Sequence, residues 1–218
     1  MNWSSFLQRL ETLDWSSDTE ETFRQAAAIL QVMASSPGGL LERARAIVED
    51  PEQLARYKAI VNFPSKIMDK FTLYVDPRND FAIRLHRMKN RAGNAGKVPQ
   101  VHSHDWSFAS VILKGAYHES SYHIDSIDTD QSSAELRHVE DRTLTAGSIN
   151  IGMSNTAHRT WNDGEEDCWT LFVRGQIQGG GFKVYDLEQG SFFYNPDKAP
   201  KPLTDEAYAE ALLQIAAI

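Results

Sequence analysis

From Phe71 to about residue 195 the chain is a succession of short segments, each four to ten residues, with polar turn clusters between them. The segments include FTLYV and FAIRLHRM, separated by Asp76-Pro77-Arg78-Asn79-Asp80, then WSFASVILKG, AYHESSYHI, ELRHVEDRTL, SINIG, HRTW, CWTLFVRG and FKVYD. No segment is long enough to form a sheet of its own, so the strands must share one core. Many short strands with polar turns predict a mainly β fold, a sandwich or a jelly-roll barrel.

The residues before this region carry a different period. Trp3, Phe6, Leu7 and Leu10 recur at helical spacing. Ser17 and Glu20 form a candidate capping box for a helix running through Met33. Ser35-Ser36-Pro37-Gly38-Gly39 breaks it, LLERARAIVED starts another, and Asp50-Pro51 restarts a helix with a cap followed by proline. Residues 196–203 read as a proline-rich linker, and DEAYAEALLQIAA as a closing helix capped by Thr204 or Asp205. The chain thus divides into an N-terminal helical segment over 1–66, a β-barrel over 67–198, and a linker with a short C-terminal helix over 199–218. The N-terminal helices are expected to cover a sheet face or to form the contact of a homodimer.

A hydrophobic fraction of 41% in 218 residues is ordinary for one domain with a substantial core. The net charge of −8 counts against nucleic-acid binding, which relies on basic phosphate contacts, and against an anionic membrane surface. Cys168 is the single cysteine, so no internal disulfide forms, and nothing in its neighbourhood marks it as reactive. The first residues lack the apolar stretch of a signal peptide, and a cytoplasmic location is the expectation.

Chemistry enters with His102 and His104. Strand residues i and i+2 face the same way, so a His-x-His pair aims two imidazoles at one point. His158 supplies a third. Three neutral nitrogen donors suit Fe, Zn, Ni or Mn and leave coordination positions open. The acidic stretch Glu165-Glu166-Asp167 reads instead as a solvated hairpin loop.

These residues sit at telling spacings. Gly96, His102, His104 and Gly115 match G-x5-H-x-H-x3-E-x6-G, and Gly147, His158 and Asn162 match G-x5-P-x-G-x2-H-x3-N. The chain therefore resembles the cupin superfamily, of the RmlC-like jelly-roll type, over roughly residues 70 to 195. It departs from the pattern at Phe108, where an acidic ligand is expected, and at Met153 and Asn155, which replace the Pro and Gly of the turn. Within that superfamily it is most similar to the cysteine-dioxygenase-like thiol dioxygenases. These carry helices before the barrel and hold Fe(II) with three histidines and no carboxylate. His158-Arg159-Thr160-Trp161-Asn162 resembles their His-Arg-x-x-Asn. Three of their further features are missing. The outer Ser-x-His-x-Tyr falls on Thr170–Arg174, the thioether cysteine near Ala109, and the substrate arginine on Leu73.

Parity extends the site. Trp106, Phe108, Ser110 and Ile112 share the face of His102 and His104, and Thr160 and Asn162 share that of His158. On CWTLFVR, Trp169, Leu171 and Val173 read as core, which puts Thr170, Phe172 and Arg174 toward the cavity. Arg174 is a candidate for a substrate carboxylate, with a surface ion pair as the alternative, and Arg84 is a second candidate. Trp106, Tyr117, Tyr122 and His123 are candidates for the pocket wall, with core packing as the alternative; Tyr117 and His123, with Arg174, are the candidate catalytic groups. His118 and His138 are read as peripheral. The function expected is a non-haem Fe(II) dioxygenase that takes O2 and a small anionic chelating metabolite, a thiol, β-dicarbonyl or amino-acid-like compound. A Zn or Ni isomerase, lyase or hydrolase and a noncatalytic ligand-binding cupin are the alternatives.

Overall fold

In the computed structural model, residues 1–36, 38–60, 67–179, 181–194 and 203–218 are described. Helix α1 (Trp3–Glu11) starts at Asn2, whose Oδ1 accepts from Ser5 N at 2.9 Å. Helix α2 (Glu20–Ala34) is capped by Thr19, whose hydroxyl accepts from Thr22 N at 3.3 Å, and not by Ser17. Ser17 is drawn into the preceding turn, where its N–H bonds to Asp14 O at 3.3 Å. Helix α3 (Gly38–Glu49) begins slightly earlier than LLERARAIVED suggests. Helix α4 (Pro51–Ala59) is capped by Asp50 with proline in its first turn, as the sequence indicates. The short α5 (Arg91–Asn94) precedes the histidine pair. Helix α6 (Asp205–Leu213), capped by Thr204, and a 3-10 turn (Gln214–Ala217) close the chain. The expected linker falls on residues outside those described, except Leu203.

Among the described residues, eleven strands form two antiparallel sheets between the helices. The first comprises β1 (Met68–Val75), β2 (Ala82–Met88), β4 (Phe108–Lys114), β7 (Ile149–Gly152) and β9 (Cys168–Arg174), in the order β1-β2-β9-β4-β7. The second comprises β3 (His102–Ser103), β5 (Ala116–Asp128), β6 (Ser133–Thr145), β8 (Thr156–Trp161), β10 (Lys183–Asp186) and β11 (Ser191–Tyr194). It closes on itself, since β10 pairs with both β11 and β3. The fold is mainly β, with the two facing antiparallel sheets of the expected jelly roll and helices at both ends.

The first sheet has two unlike faces. One carries Phe71, Leu73, Ile83, Leu85, Ala109, Val111, Trp169, Leu171 and Val173, and packs with Phe6, Leu10, Phe23, Leu30, Leu40 and Ile47 of the helices in one core. The N-terminal helices therefore cover a sheet face. Trp15, between α1 and α2, stacks on Phe81 at 4.9 Å and donates from Nε1 to Leu10 O at 2.8 Å. The Phe23 ring lies on bare backbone, for a Cβ on Gly175 would stand 2.7 Å from its Cζ. The other face of the sheet looks into a cavity closed by the second sheet.

Gly115 shows why the β4–β5 corner is fixed. Its φ is +76°, and a Cβ there would meet Asp167 O at 2.7 Å, so neither backbone nor space admits another residue. Among the described residues no helix is long and apolar enough to cross a membrane. Truncating Phe23 to alanine should remove a plug between α2 and the sheet and destabilise the protein by about 3–5 kcal/mol. Urea unfolding of Phe23→Ala against the parent measures this directly.

Candidate metal centre and cavity

Strand β3 is only His102–Ser103, shorter than the run that the sequence reading gave it, because the chain bends at Asp105–Trp106. The bend leaves the alternation intact. His102, His104, Trp106, Phe108 and Ser110 all line one cavity of about 400 Å³, while Ser103 points away to bond the Tyr185 hydroxyl at 2.8 Å. Pairing of β3 with β8 sets His102 directly opposite His158. The ring centroids of His102 stand 5.0 Å from His104 and 4.8 Å from His158. Nitrogens from all three lie within 4.8 Å of one another.

Tautomers follow from the partners. His102 Nδ1 donates to Gln100 O at 3.0 Å, and His158 Nδ1 donates to Glu119 Oε2 at 3.1 Å. Each ring is thereby left with Nε2 as its free donor. His104 is set by stacking on Trp106, 4.0 Å away at 17°. The donor set fits a first-row transition ion: three neutral imidazoles converge, and a carboxylate–histidine contact of the kind that orients metal ligands stands behind one of them.

Glu119 is the centre of a buried network that the sequence reading missed. It is 2% exposed. Its Oε1 accepts from Arg142 Nη2 at 2.6 Å and its Oε2 from Asn150 Nδ2 at 2.7 Å. Arg142 also reaches Asn150 Oδ1 at 2.6 Å, and Asn150 donates to the Tyr117 hydroxyl at 2.9 Å. Burial alone would raise the Glu119 carboxyl, but its hydrogen bond to and electrostatic interaction with His158, and the charge and hydrogen bond of Arg142, outweigh this and bring it to about 2. The signal was there: Glu119 sits two residues from Tyr117 on the same strand face.

The other expected residues fall into two groups. Trp106, Phe108, Tyr117, Thr160, Thr170 and Phe172 line the cavity. Phe108 stacks on Phe172 at 5.0 Å and fills the space over Gly152, where a Cβ would be 2.2 Å from its ring. The position of the absent acidic ligand is thus a packed aromatic wall. Arg174 and Arg84 are buried on the same sheet face but are not among the lining residues. Arg174 is drawn to the strand end, where Nη2 donates to Asn79 Oδ1 at 2.6 Å and Nη1 to Gly175 O at 2.8 Å.

His123 is expected in the wall but lies outside the cavity, 40% exposed, with Asp125 3.7 Å away, because β5 has by then run past the cavity. Tyr122 packs in a separate cluster with Val101, Tyr185 and Phe192. Ile112 joins Met88, Leu144 and Cys168 in another. Asn162 holds the β8–β9 hairpin by donating to Glu166 O at 2.8 Å. His118 bonds Asp163 at 3.0 Å and His138 bonds Asp141 at 3.1 Å, both peripheral. Ala109 and Leu73, the positions of two thiol-dioxygenase features, face the helices and not the cavity.

No protein-family model and no curated protein matches this chain. Among solved structures it is similar to KdgF from Halomonas sp., with 12% identity and TM-score 0.37 over 52% of this chain and 83% of that one. It is also similar to the Cupin_2 domain of an XRE family transcriptional regulator from Enterobacter cloacae, with 14% identity and TM-score 0.35 over 50% and 96%. Hydroxypropylphosphonic acid epoxidase from S. wedmorenis matches at 10% identity and TM-score 0.37 over 52% and 53%. Similarities this low assign the chain neither a family nor an activity.

Glu119→Gln keeps the shape of the network but removes the charge behind His158. Metal affinity should fall about 10–100-fold with the fold retained, as read by competition with a chromophoric chelator. A second outcome concerns acid. Burial, then His158, lowers His102 to about 3, and burial, with the other two histidines next, holds His104 well below 6.5. Both rings are neutral in the folded, metal-free protein, whereas an unfolded chain protonates them below about pH 6.5. The unfolded state then binds more protons, so this contribution to stability is complete above about pH 6.5 and declines as pH falls toward 3. Metal-free protein should lose stability on acidification from pH 6.5 to 5 with a slope approaching about 1.4 kcal/mol per pH unit for each ring. Replacing His102 and His104 by Asn should flatten that slope in urea titrations.

Proposed function

We propose that this protein is a metal-dependent oxygenase, with Fe(II) the favoured ion and Zn, Ni or Mn the alternatives. Its substrates are O2 and a small anionic metabolite able to chelate the metal. The observation that carries this reading is the convergence of His102, His104 and His158 on one point of a cavity. Iron held there would supply oxygen activation, which side chains alone do not provide.

The chain's own residues do the rest. Three neutral donors leave the full charge of a divalent ion uncompensated, and Phe108 keeps an acid from neutralising it. That favours an anionic substrate. Glu119 holds the His158 ring, and its own charge is matched by Arg142. Burial, with Glu119 next, raises the Tyr117 phenol far above its ordinary value, so its hydroxyl stays protonated and is a hydrogen-bond donor at the cavity. Trp106, Phe108, Phe172 and Phe182 form an apolar wall that excludes water from a reactive site.

Acid–base chemistry on a Lewis-acid metal is less well served. Among the described residues the lining contains no carboxylate to act as a general base, and the nearest one, Glu119, is spent on three partners.

Protein purified anaerobically should retain iron, and oxygen-electrode traces across thiols, β-dicarbonyls and small aromatic acids should show uptake only with substrate present. His104→Ala should lose the metal and the uptake while keeping the parent's far-UV circular dichroism. Full turnover of a substrate by iron-free, zinc-loaded protein would overturn the oxygenase assignment.

A further inference from the structure

Lys70 lines the cavity on the first sheet, apart from the histidine group. It lies on β1, directly opposite His86 of β2, which is in turn opposite Thr170 of β9. All three residues line the cavity. The row Lys70–His86–Thr170 therefore forms one continuous polar strip on the sheet, separate in sequence from the three histidines.

This strip has an unusual charge. Among the described lining residues Lys70 is the one with a permanent charge, since the lining holds no Asp, Glu or Arg. No hydrogen bond or ion pair to Lys70 is present among the described residues, and it is half-buried. Its strand neighbours show what the alternative looks like: Asp69, on the other face, is taken by Arg87 at 2.5 Å and Lys89 at 3.2 Å. Beside Lys70 stand His86, 7% exposed with Nε2 unpartnered, and Arg84, 8% exposed with Nε unpartnered. Burial and the nearby Arg84 pull the ammonium down to about 8, which leaves it charged at neutral pH.

A half-buried ammonium without a counter-ion is more costly to keep than one in open solvent. In a protein of net charge −8 an acidic partner would be easy to provide, yet none stands here. Lining residues in the rows that adjoin this strip include the apolar Met68, Met88 and Phe172.

From this we infer that Lys70 is the anchor for a carboxylate on the substrate whose chelating group binds the metal in the same cavity. One compact ammonium in apolar surroundings suits a single negative charge better than a phosphate dianion, which a planar, five-donor arginine fork would hold. The cavity of about 400 Å³ has room for a small-molecule acid. The substrate class is then a small carboxylic acid that also carries a metal-chelating group. His86 Nε2, lacking a protein partner, is placed to donate a hydrogen bond to the same carboxylate in its Nε2–H tautomer.

The inference rests on the metal reading, and its test separates the two. Cobalt(II)-loaded protein is titrated with three hydroxamates, binding being read from the visible cobalt bands. Acetohydroxamate has no tail, succinic monohydroxamate carries a carboxylate tail, and the methyl ester of the latter carries a neutral one. The parent should bind the carboxylate form at least about tenfold more tightly than the ester, a difference of about 1.4 kcal/mol. Lys70→Met should erase that preference while leaving cobalt content and acetohydroxamate affinity unchanged, and Lys70→Arg should keep part of it. Equal affinities for acid and ester in the parent, or a preference that survives in Lys70→Met, overturn the role of Lys70 and leave the metal centre standing. Failure of the parent to retain cobalt overturns the metal centre itself, and this inference with it. The parent comparison alone decides the matter if Lys70→Met does not fold.

Discussion

Strand β9 gives its two faces to two different solvents, and the rest of the molecule is arranged around that division. Trp169, Leu171 and Val173 dissolve in the helical core, while Thr170 and Phe172 face the cavity. Because side chains alternate strictly along a strand, neither face can be altered in register without exchanging the two. Strands β2 and β4 flank β9 with the same parity, so the apolar side seats α2 and the opposite side becomes a floor for chemistry. The helices thus support the site indirectly, by making the back of that floor too costly to turn over.

On this floor and the facing sheet the cavity mixes an aromatic wall with polar side chains, two groups of which stand out. One is the group of imidazoles, backed by a carboxylate whose charge is fully used by its partners. The other is a lysine with no such compensation. Phe108 and Phe172, stacked on each other, belong to the aromatic wall of the same cavity. A site of this form separates the roles of holding a metal and holding a charge, so that a substitution at either group has its own signature. Phe108 is instructive in this respect. It fills the room left by a residue without a side chain, Gly152, and so the missing ligand is replaced by volume instead of leaving a void.

Much of this was legible in the chain. The helical period before residue 60, the Asp50-Pro51 start, the Thr204 cap and the turn after Val75 are local signals, and local hydrogen bonds decide them. The histidines were legible because alternation needs only neighbouring residues and a strand. Where the reading went astray, distance was the cause. Arg174 lies on the expected face, but a partner ninety-five positions earlier in sequence, Asn79, draws its guanidinium away from the cavity. His123 has the right strand, yet β5 is thirteen residues long and outruns the cavity. Ser17 lost its helix to Thr19 because an aspartate turn captured it first.

By itself, the sequence determined the alternation of faces, the order of helices and strands, and three imidazoles at the spacing of a ligand set. These follow from backbone geometry acting over a few residues. Only the tertiary structure decided which carboxylate stands behind His158, which aromatic rings close the wall, and that Lys70 enters the cavity while both candidate arginines stay off its surface. Those outcomes depend on which strands pair and in what register, and register is set by packing between segments far apart in the chain.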